Sequence, residues 1–574
     1  MTTFSVWAPD KPVKLRLGDR DYEMEPGEDG WWHADVASDA VDYGFLLPGQ
    51  EKPLPDPRSP WQPDGVHGPS RVYDHSAFAW TDQGWTGRQL PGSVLYELHI
   101  GTFTPEGTFD AAIDRLDHLV DLGVDLVELL PVNAFNGTYN WGYDGVCWFA
   151  PHEAYGGPDG LKRFVDAAHA KGLGVVLDVV YNHFGPSGAY APMFAPYLSS
   201  GSNAWGSAVN LDGPGSEQVR RYIVDSVLMW LRDYHVDGLR LDAVHALHDE
   251  GAVHLLEQMA VEVETLSTRL RRPLSLIAES DLNDPKLITP REAGGYGLHA
   301  QWDDDVHHAL HTLLTGERQG YYGDFGSLDC LATVLSGAFF HAGTWSSFRG
   351  RRHGRPVDRQ RTPGHRFVTF LQNHDQIGNR AVGDRLTATL SPGLLRVGAT
   401  LLLTSPFTPM LFMGEEWAAS SPWQYFTSHP EPDLADAVKN GRRREFASHG
   451  WAESDVPDPQ DPATFERSKL DWSELGKPGH AEMLDLHRRL IALRRNTPGL
   501  TDPWLHEVEV WHGDQHVVIR RGPCVVVANL AGTAQTVSVR ALPRAVLLAT
   551  EPGVIVERDR LVLPPESAAV VSVR

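Results

Sequence analysis

Cysteine is nearly absent: three residues in 574 cannot staple a fold. Cys147, Cys330 and Cys524 stand far apart with no Cys-x-x-Cys spacing, which argues against a disulfide framework and for a reducing compartment. Positive charge is also short. Fifty Lys and Arg face 75 Asp and Glu, a formal net charge of −25. A phosphate backbone or an anionic membrane surface would repel such a chain, so neither nucleic acid nor membrane is expected as a partner. Long apolar runs are missing too. The most apolar stretch, residues 397–413, is broken by Pro406 and Pro409 and reads as a buried helix running into a buried strand. The first ten residues, MTTFSVWAPD, lack the basic and apolar segments of a secretion signal, so the expected location is cytoplasmic. Aromatics are plentiful. Most of the 18 Trp and 16 Tyr should fill cores, and the rest offer flat rings to the apolar faces of a neutral sugar.

The chain divides into three regions by periodicity. Residues 1–85 read as short strands and turns with a Pro-rich linker, an N-terminal all-β, sandwich-like domain. Residues 90–495 alternate strand and helix. Strands are expected at 93–100, 124–131, 173–180, 237–244, 274–280, 298–303, 367–372 and 408–412. Helices are expected where Ile113, Leu116, Leu119 and Val120 fall at helical spacing before Gly123, then at 160–171 and 217–234. Eight such units make an α/β fold, a (β/α)8 TIM barrel with an insertion at 132–157. Beyond residue 500 the helical period disappears, and 516–520, 524–529, 536–539 and 568–573 read as strands of a C-terminal β-sandwich at 500–574. No internal repeat and no low-complexity tract is found.

Charged residues interrupt the apolar strands near their ends. Residues 175–183 read VVLDVVYNH, 238–245 GLRLDAVH, 276–280 LIAES and 370–375 FLQNHD. A charge inside such a run is costly unless paired or functional. Singly, each has a bland reading: Asp178 as a loop cap, Arg240 with Asp242 as a buried ion pair. Coincidence at four barrel ends, where such folds carry their chemistry, is a poor explanation.

These four segments resemble, in order and spacing, the signature regions of the α-amylase family of glycoside hydrolases. The resemblance covers residues 90–420 and implies Asp242 as nucleophile, Glu279 as general acid/base and Asp375 as transition-state stabiliser. It implies Arg240 as the group that orients Asp242, His183 and His374 as contacts to sugar hydroxyls, and Tyr143, in NWGYD, as a platform for the ring. A narrower likeness is to the family's trehalose-releasing members. It is carried by YELHIGTFTPEGT (96–108), RLDAVH (240–245), IAESDLNDP (277–285), QWDDDVHHALH (301–311) and HDQIGN (374–379). This implies further substrate contacts at His245, Asp304, His308, Gln376 and Asn379, and maltooligosyl-trehalose or another α-glucan as substrate. The leaving-group side is expected at Asp281, Trp302, Asp304 and the loop after Asp375.

The chemistry agrees with that assignment. Glycosidic cleavage with retention needs an ionised carboxylate and a protonated one roughly 5–5.5 Å apart, within reach of adjacent barrel strands. Arg240, two residues before Asp242 on the same strand face, favours the ionised form there. His307 and His311 stand at i, i+4, a spacing open to metal. However, no Glu follows His307, and Asp303, Asp304 and Asp305 fit a helix N-terminus. No calcium cage is evident near Asn182. No metal and no cofactor is expected, and a monomer is. Two other readings remain open: a transglycosylase such as a branching enzyme, whose Ala-Glu-Glu-Ser acid region is missing here, and a non-catalytic amylase-like binding subunit, which usually lacks these carboxylates.

Overall fold

A computed structural model describes residues 2–447 and 456–574. Eight parallel strands close into a barrel: β1 (Leu95–Leu98), β2 (Leu126–Leu129), β3 (Gly174–Val179), β4 (Gly238–Leu241), β5 (Ser275–Ala278), β6 (Ala300–Trp302), β7 (Phe367–Thr369) and β8 (Thr408–Phe412). They run around the barrel in chain order, and β8 pairs back onto β1 with Met410 opposite Leu95. Every strand residue is buried, as in parallel sheets covered on both faces, which is why the sequence shows continuous apolar runs.

The two faces of those strands differ. Leu95, Leu126, Val176, Ile277, Val368 and Met410 pack together inside the barrel. Their neighbours Tyr96, Val127, Val175, Leu177 and Leu276 belong to the core under the helical shell. Two residues further along the inner face stand Glu97, Glu128 and Asp178, joined on β4 by Arg240. The interior thus turns from apolar to charged toward the C-terminal end.

The eight expected barrel strands are all present, most of them shorter than the apolar runs by up to three residues at an end. Ile100, for example, belongs to the helical turn Ile100–Phe103. The first expected helix is two: Phe109–Ile113, capped by the Thr108 hydroxyl, and Leu116–Leu122, closed by Gly123 at φ +96°. Phe109 and Ala112 of the first piece and Leu116, Leu119 and Leu122 of the second face inward, and Val120, read as apolar-face, is exposed. Later crossover helices include Gly157–Ala170, Ser216–Asp233, Leu255–Leu270 and Asp304–Thr315. Pro392–Leu403 does run into β8. Among the described residues no helix is long and apolar enough to cross a membrane.

All-β sheets flank the barrel. At the N-terminal side are a three-stranded and a four-stranded sheet, tied to the barrel by Trp7 edge-on to Tyr197 at 5.3 Å and by Trp31 Nε1 donating to Gln218 at 3.0 Å. At the C-terminal side are a five-stranded and a three-stranded sheet, anchored by buried Arg521, whose Nη1 donates to the carbonyls of Thr404, Ser405 and Leu500 at 2.7–3.0 Å.

The N-terminal end of the barrel holds a knot of charge. Asp237, just before β4, accepts from Trp85 Nε1 (2.7 Å), the Val175 amide (2.9 Å) and Arg272 (3.4 Å), and meets His169 Nε2 at 3.0 Å. Asp82 in the linker bonds the other nitrogen of His169 and that of His235, both at 2.8 Å. Trp85 stacks on His169 and Trp80 on His235.

Candidate active site

Arg240 organises the C-terminal end of the barrel. The parallel register sets it beside Asp178 of β3. Its Nη1 donates to both Asp178 oxygens at 2.9 Å and to Asp242 Oδ1 at 2.7 Å. Its Nη2 lies 3.7 Å from Glu279 Oε2, and its guanidinium stacks 4.3 Å over Trp302. Side-chain exposure rises outward from this cation: 0% for Arg240, 12% for Asp242, 17% for Glu279 and 42% for Asp375. One buried positive charge therefore sits below three carboxyl groups that open toward the mouth.

The backbone fixes the first two of them. After β4 the chain turns through Ala243, a non-glycine residue in the left-handed region (φ +40°), which costs on the order of 1–3 kcal/mol. The strained residue's N–H donates to Glu279 Oε2 at 2.6 Å. Asp242 Oδ2 accepts from Asn182 Nδ2 at 2.8 Å, so its two oxygens are held by different strands' ends. Burial raises the Glu279 pKa; Arg240 opposes and the Asp242 charge adds to the rise. The site thus favours a protonated Glu279 next to a guanidinium-bound Asp242.

His374 forms the opposite wall. Its Nδ1 meets Glu97 Oε1 at 2.5 Å, and its backbone N–H donates to Glu97 Oε2 at 3.0 Å. Its Nε2 lies 2.7 Å from the Tyr143 hydroxyl, which donates to Asp178 Oδ2 at 2.6 Å, and 3.4 Å from Asp375. Tyr143 is delivered by Gly142 at φ +110°, where a Cβ would meet the Pro131 carbonyl at 2.2 Å, so only glycine fits. Burial works to lower the His374 pKa, but Asp375 and Glu97 overcome it and raise it to about 9. Glu128, beside Glu97 on β2, is pushed well above the carboxylate range by burial and by Glu97 and Asp178.

The remaining expected residues fall around this centre. His183 is buried, with Nδ1 on Asn182 Oδ1 (2.5 Å) and Nε2 on the Tyr143 carbonyl (3.0 Å). His245 Nδ1 lies 4.0 Å from Asp281, which also takes Arg349 at 2.9 Å. Gln376 reaches Asp304 at 3.4 Å and accepts from Tyr321 at 3.3 Å, and His308 stacks on Tyr321. Asn379 is exposed and accepts from Arg442 at 3.2 Å. Beside them lies a cavity of about 360 Å³ lined by Tyr321, Tyr322, Phe348, Gln376 and Asn379 among others. Trp302 does not line the mouth as expected for the leaving-group side. It points into the barrel from the inner face of β6 and lies 3% exposed beneath Arg240.

Sequence reasoning missed Glu97, Glu128 and the Asn182 anchor. The signal was present for the first two: each is a carboxylate inside an apolar strand, like Asp178. It also missed Tyr321, in a short helical turn (Gly320–Tyr322), and Phe348, in the turn of a short hairpin, both between β6 and β7. His307 and His311 are engaged with Tyr322 (3.0 Å) and Glu317 (2.8 Å). Asp303 caps the helix Asp304–Thr315 as expected.

A family model described as alpha amylase, catalytic domain, matches residues 71–195. The chain is 57% identical over 580 residues to the malto-oligosyltrehalose trehalohydrolase of Rhizobium sp. (strain M-11), covering 99% of this chain and 97% of that one. It is 58% identical over 535 residues to the malto-oligosyltrehalose trehalohydrolase of Arthrobacter ramosus, 92% of each. Among solved structures it matches a Salmonella typhimurium protein assigned as an alpha amylase, with TM-score 0.91 and 39% identity over 100% of this chain and 97% of that one.

Proposed function

The chain belongs to the α-amylase family, among its malto-oligosyltrehalose trehalohydrolases, and on that premise we propose that it cleaves the α-1,4 bond next to the terminal trehalose of maltooligosyl-trehalose, with retention. The observation that carries the chemistry is the single buried guanidinium of Arg240 held against both Asp242 and Glu279. Two carboxyls on one guanidinium fit the close pair that retention requires. Asp242 attacks the anomeric carbon while Glu279 protonates the leaving oxygen. The bond to trehalose breaks and a glycosyl ester forms on Asp242. Glu279, now ionised, takes a proton from water as that water opens the ester, and both groups return to their starting states. Asp375 faces the positive charge that develops on the ring. Tyr143, His183 and His245 contact the sugar being cleaved, and the buried Arg240 and His374 act from behind the carboxylates.

The leaving unit occupies the neighbouring cavity, against Gln376 and Asn379, with Asp304 and His308 behind Gln376 and Tyr321. Its mixture of rings and hydrogen-bonding groups suits a compact disaccharide. Groups that bond both trehalose rings would be left unpaired by maltose, at about 1–3 kcal/mol each, or roughly 10- to 10³-fold in rate. The three cysteines are free and buried, which supports action in a reducing cytoplasm. Product analysis on maltooligosyl-trehalose beside a maltooligosaccharide of equal length tests the reading. Trehalose should be released faster than maltose or glucose by that factor. Equal rates would reduce the protein to a general α-glucanase, and new branch points on amylose would make it a transferase.

A further inference from the structure

The hydrogen bonds around the His374 ring favour one protonation state over its alternative. The Tyr143 hydroxyl has one proton, directed to Asp178 Oδ2 at 2.6 Å. Toward His374 Nε2, at 2.7 Å, it can therefore only accept, so Nε2 carries a proton. On the other side Glu97 meets the backbone N–H of His374 with one oxygen and Nδ1 with the other. A carboxylate that grips both positions is an acceptor for both, so Nδ1 carries a proton as well. Both partners of this clamp are 1% exposed, out of reach of a competing solvent donor.

We propose that Glu97 is a positioning residue that holds His374 as a doubly protonated imidazolium, so that a buried cation flanks Asp375. This rests on the reading that Asp375, 3.4 Å from His374 Nε2, faces the cleaved glucosyl unit. The charged and titratable groups around the ring are Glu97 from β1, Glu128 from β2, Asp178 from β3, Arg240 from β4, Tyr143 from the insertion, His99, and Asp375 on its own segment. The opposing arrangement is a neutral His374 with the proton on Asp178, donated through Tyr143 to a bare Nε2. The two Arg240 contacts to Asp178 stand against it, because a guanidinium on both oxygens favours the carboxylate. Burial, with Asp242 adding to it, outweighs Arg240, Tyr143 and His374 and raises Asp178 to about 7, so the two arrangements are a real choice for measurement.

Glu97→Gln separates them. Glutamine offers one acceptor where two donors now point, and the strain is relieved if His374 loses its Nδ1 proton and accepts from the amide. In histidine-selective ¹⁵N NMR, the signal absent from His374→Gln should show two protonated ring nitrogens in the wild type from pH 6 to 8. It should show one in Glu97→Gln at pH 8. In kinetics, Glu97→Gln should cost about 10- to 10²-fold in kcat/KM above neutral pH, the scale on which the carboxylate behind a functional histidine acts, and the deficit should narrow toward pH 5.5. A deficit equal at all pH values, with the ring still doubly protonated, would assign Glu97 a packing role and overturn the proposal. If the variant fails to fold, the wild type decides alone: one ring proton at pH 7.5 overturns it. That outcome leaves the hydrolase reading standing, whereas absence of glycoside cleavage would sink the hydrolase reading and leave the protonation result intact.

Discussion

The two ends of the barrel each bury aspartates, histidine and arginine, and they treat them differently. At the N-terminal end, Asp82, His169, Asp237 and Arg272 close on one another and on two Trp rings, and among the described residues none of their buried polar atoms lacks a partner. At the C-terminal end, Arg240 Nε and Nη2 and Glu128 Oε2 are buried with no hydrogen-bond partner, Ala243 is strained, and Asp375 is left 42% exposed. A complete network stabilises one geometry. At the other end the charge of Asp242, Glu279 and Asp375 faces an open mouth, where a substrate can meet it. Residue type alone does not separate a knot from a site. Satisfaction and exposure do.

Substitutions at the two ends should therefore fail in opposite ways. Asp242→Ala should lower kcat by on the order of 10³-fold or more while the melting temperature stays near wild type, because the covalent route is lost and the fold does not depend on it. Near-normal turnover in the folded variant would remove the nucleophile assignment and erase the contrast. Asp237→Ala should do the reverse. Stripping the shared acceptor from His169, Arg272 and Trp85 should cost about 3–5 kcal/mol of stability in denaturant unfolding, with kcat per folded molecule little changed. A large loss of kcat without loss of stability would mean that the lower knot reaches the site.

A smaller and sharper contrast lies in pH. Burial works to lower the His169 pKa, but Asp237 and Asp82 overcome it and raise it. A raised histidine stabilises fully below its unfolded value of about 6.5 and loses that contribution as pH climbs through the folded value. Burial works to raise Asp82, but its bonds to His169 and His235 lower it, so its contribution is present above about 3.9 and lost as pH falls through the depressed value. The stability lost on making His169→Gln should thus be constant between about pH 4 and 6.5 and shrink on the alkaline side, since the raised carboxyls and His374 at the other end contribute equally to both proteins. At the upper end the raised Glu279 must keep its proton to act as acid, so kcat/KM should fall as pH rises through a value above the ordinary carboxylate pKa of about 4.3. His169→Gln should leave that limb in place. A shift of the kinetic limb in that variant would show that the two ends titrate together.

What the sequence determined by itself is the barrel and its chemical end. Strands such as 174–179 (GVVLDV) and 408–412 (TPMLF) are short, mostly apolar runs, and a parallel sheet needs little more local information than that. Asp178, Arg240, Asp242 and Glu279 were legible because a charge inside an apolar strand has no cheap bland explanation. Tertiary structure alone decided who holds whom. Glu97 and His374 are 277 residues apart, and Trp302 became the floor under Arg240 because the inner face of β6 closes over the centre of the barrel. The split of the first helix and the placement of Tyr321 and Phe348 were hidden for the same reason. Local periodicity reports which side of an element is apolar, while the partner across the barrel is fixed only when the eighth strand pairs with the first.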